Sequence, residues 1–139
     1  MVGAKSRELV EAATGYAAGP NGRGVAYARL SGNGAAHLLR VPFRVNASCD
    51  ERQIGFAALT ALAGTLRRRG VRRVRFALDD CGLLEDITAH DDLKESLVLP
   101  YVRLRCAFNA LDEVTTSYSA GANDLTQRAK AEVAFLTAA

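Results

Sequence analysis

Three strand-like runs stand ahead of the first helix in this sequence, and a strand-like run returns after each helical stretch until a closing helix. That order constrains the fold more than any single motif. Strands joined by short turns pair antiparallel, whereas strands joined through a helix come back parallel, so the sheet must be mixed. Leu9 to Tyr16 reads as the first strand, and the glycine-rich turn Gly19-Pro-Asn-Gly-Arg-Gly24 leads to a second at Val25 to Leu30. Asn33-Gly34 then marks a hairpin, because both residues tolerate positive φ. Across Leu39, Val41, Phe43 and Val45, apolar residues alternate with Arg40, Pro42 and Arg44, the pattern of a half-buried third strand. Pro42 has no N–H for a ladder and places that strand at a sheet edge.

The next segment carries a capping signature in Ser48-Cys-Asp-Glu51, with the Ser48 hydroxyl and the Glu51 carboxylate closing the box. Ile54, Ala58, Ala61 and Leu62, with Leu59 and Leu66, form an apolar helical face. Arg67, Arg68 and Arg69 fall in the last turn, where the helix dipole favours cations, and Gly70 ends the helix. Val74, Phe76 and Leu78 alternate as a fourth strand ending at Asp79-Asp80. A short helix, Cys81 to Ile87, and the polar stretch His90-Asp-Asp92 follow. Pro100 is expected to open a helix to about Leu111, since its missing N–H costs nothing in a first turn. Glu113 to Ser119 reads as the last strand. Leu125, Ala129, Val133 and Leu136 stripe a closing helix capped at Asn123 or Asp124. The expectation is one α/β domain over 1–139, with three antiparallel and two parallel strands and helices on both faces.

Composition sets the outer limits. At 139 residues, the chain can bury a proper core without disulfides or metal staples. No apolar run reaches the roughly 18 residues of a membrane span, and no h-region follows Met1, so a cytoplasmic protein without a membrane partner is expected. Cys49, Cys81 and Cys106 are widely spaced and read as reduced core thiols. The net charge of +3 is compatible with a nucleic-acid partner without requiring one.

The element order and four local signatures resemble the ribonuclease H-like family from about Leu9 to Leu136. That family ends its first strand in Asp-Gly before a glycine-containing turn; here Thr14-Gly15 leads into Gly19 to Gly24. Its long helix begins with a glutamate, and Ile54 sits at that place ahead of Ala61-Leu62. Its fourth strand ends in Asp-Ser, matched by Asp79-Asp80. Its final helix begins with asparagine and then Ala-Asp, matched by Asn123 and Thr126-Gln127. The resemblance implies a pair of Mg²⁺ or Mn²⁺ ions working on RNA/DNA hybrids. At the four implied carboxylate positions, however, stand Thr14, Ile54, Asp79 and Gln127, with one negative charge among them. Divalent ions of this kind are gathered by carboxylates. Asp80 and Asp124 are the nearby substitutes, and neither Glu51 nor Gln53 fits the helical spacing. The expectation is a domain that has lost its chemistry, needs no cofactor, and uses Mg²⁺ or Mn²⁺ only if catalytic.

Several residues carry two readings. Asp79-Asp80 is a relic metal or phosphate-proximal site, or else a cap for the following helix. Arg67, Arg68, Arg69, Arg72 and Arg73, with Arg75, form a basic run that reads as a phosphate-binding patch or as a cation-complemented helix end. About seven residues of strand, roughly 20 Å at 3.3 Å each, separate this run from Asp79, so it cannot ligate anything there. Arg75 is awkward on a covered sheet face. Arg103 and Arg105 are further nucleic-acid candidates or plain surface charges. His37 and His90 have no ligand partner at a recognisable spacing. Tyr16 and Tyr27 stack on a base or fill the core. The leading expectation is a nucleic-acid-binding module for a hybrid or duplex; the rivals are an active ribonuclease H and a homodimer or protein-partner scaffold.

Overall fold

In the computed structural model, which describes residues 8–32, 35–88 and 93–138, the sheet has the order β3-β2-β1-β4-β5. Strands β1 (Leu9–Ala18), β2 (Arg23–Gly32) and β3 (Ala35–Arg44) form an antiparallel meander. Strands β4 (Arg73–Leu78) and β5 (Glu113–Tyr118) add in parallel beyond β1. Pro42 lies on β3 at the edge, as its missing donor requires. The Asn33-Gly34 turn, His90-Asp-Asp92 and the Met1 segment lie outside the described residues.

Four α-helices cover the two faces: α1 (Glu51–Arg68), α2 (Cys81–Thr88), α3 (Glu95–Asn109) and α4 (Asn123–Ala138), the last preceded by a 3-10 turn at Ala120–Ala122. Helix α1 lays Phe56, Leu59, Leu62 and Leu66 on the small residues Ala12, Ala26 and Ala28, and α2 and α3 complete this larger core. Helix α4 packs on the opposite face, where Leu125 and Ala129 meet Val25 and Tyr27. Its apolar stripe runs past the sheet, and Leu136 is exposed. Of the three cysteines expected inside, Cys81 and Cys106 are exposed and Cys49 is half-buried.

The ends of α1 differ in how well the sequence announces them. Gly70 adopts φ +89° and closes a Schellman motif, with Val71 N–H bonding the Leu66 carbonyl and Gly70 N–H that of Arg67. At the other end the cap is Asp50, not Ser48. The Asp50 carboxylate accepts from Gln53 N–H, and the Gln53 amide oxygen accepts from Asp50 N–H, both at 2.9 Å. Ser48 instead turns back to Asn46. This two-residue shift moves the first turn of the helix and matters for the site below.

Pro100 lies inside α3 and does not open it. An interior proline leaves the carbonyl four residues earlier without its helical donor, here Ser96. Gln53 Nε2 supplies that donor at 3.1 Å, so one glutamine both closes the α1 capping box and satisfies the carbonyl that Pro100 orphans. The compensation comes from a helix distant in sequence, which is why the local reading of Pro100 failed.

Candidate functional site

The carboxyl ends of β1 and β4 meet where the chain's direction of sheet growth reverses, because β1 has the antiparallel β2 on one side and the parallel β4 on the other. In α/β sheets such a switch point leaves a crevice above the strand ends. Here the crevice is a pocket of about 430 Å³. Its floor is Tyr16, Ala17 and Ala18; α1 lends Glu51 and Ile54, the end of β4 lends Asp79 and Asp80, and α4 lends Asn123, Thr126 and Lys130.

The two adjacent aspartates point to opposite sides of the sheet and do different work. Asp80 caps α2, accepting from Leu83 N–H at 3.1 Å, and its other oxygen accepts from the Tyr16 hydroxyl at 3.2 Å. Burial, followed by the neighbouring Asp80 charge, pushes the Tyr16 hydroxyl well above the usual tyrosine range, so it stays a neutral donor. Asp79 faces α4 instead. Its Oδ2 accepts from Asn123 Nδ2 at 3.0 Å and its Oδ1 from Thr126 Oγ1 at 3.1 Å. Asn123 therefore ties α4 to β4 and does not cap its own helix.

Of the four positions singled out by resemblance, Ile54 and Asp79 line the pocket. Thr14 is fully buried on the opposite face of β1 from Asp79, and its hydroxyl donates to the Ala12 carbonyl at 3.0 Å. Gln127 is exposed and lies outside the lining. Thr126 takes the place beside Asp79. Asp124, one of the two possible substitutes, is drawn off to Arg29 on β2. Glu51 is the side chain that sequence reasoning set aside. With the cap at Asp50, Glu51 sits in the first turn, three residues before Ile54, and i and i+3 share a helix face. The same rule links Asn123, Thr126 and Lys130, spaced three and four apart on α4. Among the described residues, no three His, Cys, Asp or Glu side chains group closely enough to hold a metal ion.

The basic run sits at the other end of the sheet from the pocket, at the α1 C-terminus and the start of β4. Arg72 pairs with Asp112 at 3.0 Å, Arg73 with Glu113 at 2.9 Å, and Arg75 with Glu11 at 3.0 Å. Arg75 is accommodated because it lies on the α4 side of the sheet, where α4 contacts β1 and β2 and the outer strands carry the polar Glu113, Thr115 and Ser117. Three of the six arginines are thus neutralised, leaving Arg67, Arg68 and Arg69 exposed at the helix end. At the pocket end, by contrast, Arg23 and Arg44 stand directly opposite each other across β2 and β3, and neither meets a carboxylate among the described residues. Like charges in that arrangement are unfavourable unless an anion is near. Arg44 and Arg103 also line a second cleft between α1, α3 and the end of β3, whereas Arg105 faces the β5 side of α3. His37 is exposed on the edge strand.

Tyr27 is core, 5% exposed, with the Arg128 guanidinium 4.9 Å above its ring. Its hydroxyl and the Arg40 guanidinium both donate to Glu132. Those bonds, Arg40 first, hold the Glu132 carboxyl below its ordinary 4.5. A depressed folded-state pKa stabilises the fold above the unfolded value, and that contribution is lost as pH falls through the folded one. The stability advantage of the wild type over Glu132→Gln is therefore expected to be full at neutral pH and to shrink progressively below pH 4.5. Urea unfolding midpoints of both proteins across that range check this.

Neither a protein-family model nor a curated protein matches the chain. Among solved structures, it is similar to the RNase H1 of the halophilic archaeon Halobacterium salinarum NRC-1 at 19% identity and a TM-score of 0.74, over 94% of this chain and 99% of that one. An N-terminal RNase H domain from Mycobacterium tuberculosis aligns at 13% identity and a TM-score of 0.68, over 95% and 99%. LC11-RNase H1, solved in complex with an RNA/DNA hybrid, aligns at 13% identity and 0.59, over 91% and 98%. Sheet order, strand directions and these likenesses agree: the chain has the ribonuclease H-like fold.

Proposed function

We infer that this chain binds an RNA/DNA hybrid or duplex across the pocket end of its sheet and does not cleave it. The observation that carries this reading is the state of Asp79, both of whose oxygens accept hydrogen bonds from α4 side chains. Asp80 is likewise committed, to a helix cap and to Tyr16. Glu51 remains, in a pocket that Lys130 also lines. A pair of hard divalent ions needs more carboxylate oxygens than this set offers, so the residues present do not fit a two-metal centre. The exposed cations at the same end, Arg23, Arg44 and Arg103, supply what backbone binding needs, which is positive charge free to meet phosphate. That LC11-RNase H1 was solved with a hybrid supports hybrid as the first nucleic acid to try.

A second reading, metal-dependent cleavage, is favoured by one observation: Glu51 and Asp79 line the same pocket. One experiment separates the two. Fluorescence anisotropy with a labelled RNA/DNA hybrid should show binding that weakens steeply with salt. Arg44→Ala and Arg103→Ala should each weaken it about five- to tenfold, while Arg72→Ala and Arg73→Ala leave it unchanged, since the last two cations are already paired. No cleavage is expected in Mg²⁺ or Mn²⁺. Hybrid cleavage that disappears in both Asp79→Asn and Glu51→Gln would establish the second reading instead.

A further inference from the structure

We propose that the outer edge of β5 is a docking groove for an extended peptide carrying an acidic side chain. The groove shares no lining residue with the pocket or with the Arg44–Arg103 cleft. Its walls are Ile87 of α2, Tyr101 and Phe108 of α3, and Val114 of β5. Thr115 and Thr116 line it as well. β5 is the last strand of the sheet order, so the groove lies along the sheet's outer edge beside α2 and α3.

The edge is chemically open. In a parallel ladder alternate residues turn their backbone groups toward the neighbour. Glu113 N–H bonds the Arg72 carbonyl and Ser119 N–H the Leu78 carbonyl, so the odd-numbered residues serve β4. The N–H and C=O groups of Val114, Thr116 and Tyr118 consequently face away from the sheet. Edges of this kind are commonly blunted by lysine, proline or a bulge. β3 has its proline, but β5 reads Glu-Val-Thr-Thr-Ser-Tyr and has none of these. The same two elements carry exposed apolar groups, Val98 and Val102 on α3 and Tyr118 at the end of β5, each close to half exposed or more.

Charge selects the occupant. Arg105 lines the groove together with Thr115 and Thr116, and its guanidinium pairs with no carboxylate among the described residues. A second copy docked strand to strand about a twofold centred on Thr116 would bring two Arg105 side chains together, which disfavours self-association. A strand with a carboxylate opposite Arg105 gains a charge-assisted bond in addition to the backbone ladder.

The test uses the full chain and a panel of capped hexapeptides alternating Val and Thr, with Asp, Glu or Asn at each interior position in turn. The best acidic peptide should bind about tenfold more tightly than its Asn counterpart, and Arg105→Ala should abolish that preference. Thr116→Pro removes one outward N–H while leaving the β4 ladder intact, so it should abolish binding of the whole panel with the circular dichroism spectrum and Tm unchanged. The proposal is overturned by equal binding of acidic and Asn peptides, by no member binding up to about 1 mM, or by a Thr116→Pro variant that binds normally. A dimer that seals this edge overturns it too, as does an Arg105→Ala variant that weakens hybrid binding and leaves the peptides unaffected.

Discussion

Gly15→Ala should cost about 3 kcal/mol of stability or more, at the upper end of overpacking penalties. A methyl at residue 15 would stand 2.1 Å from the Thr126 nitrogen and 2.4 Å from the Leu125 carbonyl carbon. Both are backbone atoms in the first turn of α4, so no side-chain rotation can relieve the clash. The helix has to lift off β1. Lifting it also withdraws Thr126 and Asn123 from Asp79, because those two bonds span the junction between α4 and the end of β4. Urea unfolding should therefore show a lowered midpoint, and the Thr126 and Asn123 resonances should shift well beyond those of α1. An unchanged midpoint would mean that the backbones of α4 and β1 are not in close contact at Gly15.

Phe76→Ala is the other large effect, with an expected loss of about 3–5 kcal/mol. Phe76 is fully buried at the centre of β4 and stacks on Phe108 of α3, with ring centroids 5.6 Å apart and planes 14° from parallel. Removing the ring deletes buried apolar surface and leaves a cavity that a strand paired on both sides cannot collapse into. Tyr118→Ala on the exposed end of β5 provides the contrast, at about 0.5 kcal/mol or less. If Phe76→Ala does not fold, Phe76→Leu should still unfold cooperatively with a loss of about 1–2 kcal/mol. Equal midpoints for Phe76→Leu and wild type would show that the ring is not held in the core.

The two substitutions bear on different aspects of one arrangement. Phe76 keeps β4 in place between β1 and β5, and Gly15 admits α4 close enough to hold the acid at the end of β4. The same closeness ties up Asp79. A helix seated a little further out would leave its carboxylate open, so the packing that stabilises this chain also bears on what its pocket can bind.

Strand directions and the edge position of β3 followed from patterns that need no tertiary information. Alternation across Leu39 to Val45 marks a half-buried strand whatever surrounds it, and Pro42 rules out a central one. The Gly70 stop was equally legible, because a positive φ after a run of helix formers has few alternatives. Where local cues competed, reading by sequence went astray. Ser48-x-x-Glu51 and Asp50-x-x-Gln53 are both capping boxes on paper, and Pro100 is as plausible at a helix start as inside one whose lost bond is replaced by Gln53.

The sequence by itself determined the mixed sheet, its β3 edge and the helices that cover it, since these rest on periodicities of two and 3.6 that survive small errors of register. Tertiary structure alone decided who meets in the pocket. One residue of slip reverses a strand side chain and turns a helical one by about 100°. That geometry sends Thr14 into the core, turns Gln127 to solvent, and brings Glu51, Thr126 and Lys130 to Asp79 from segments far apart in the chain.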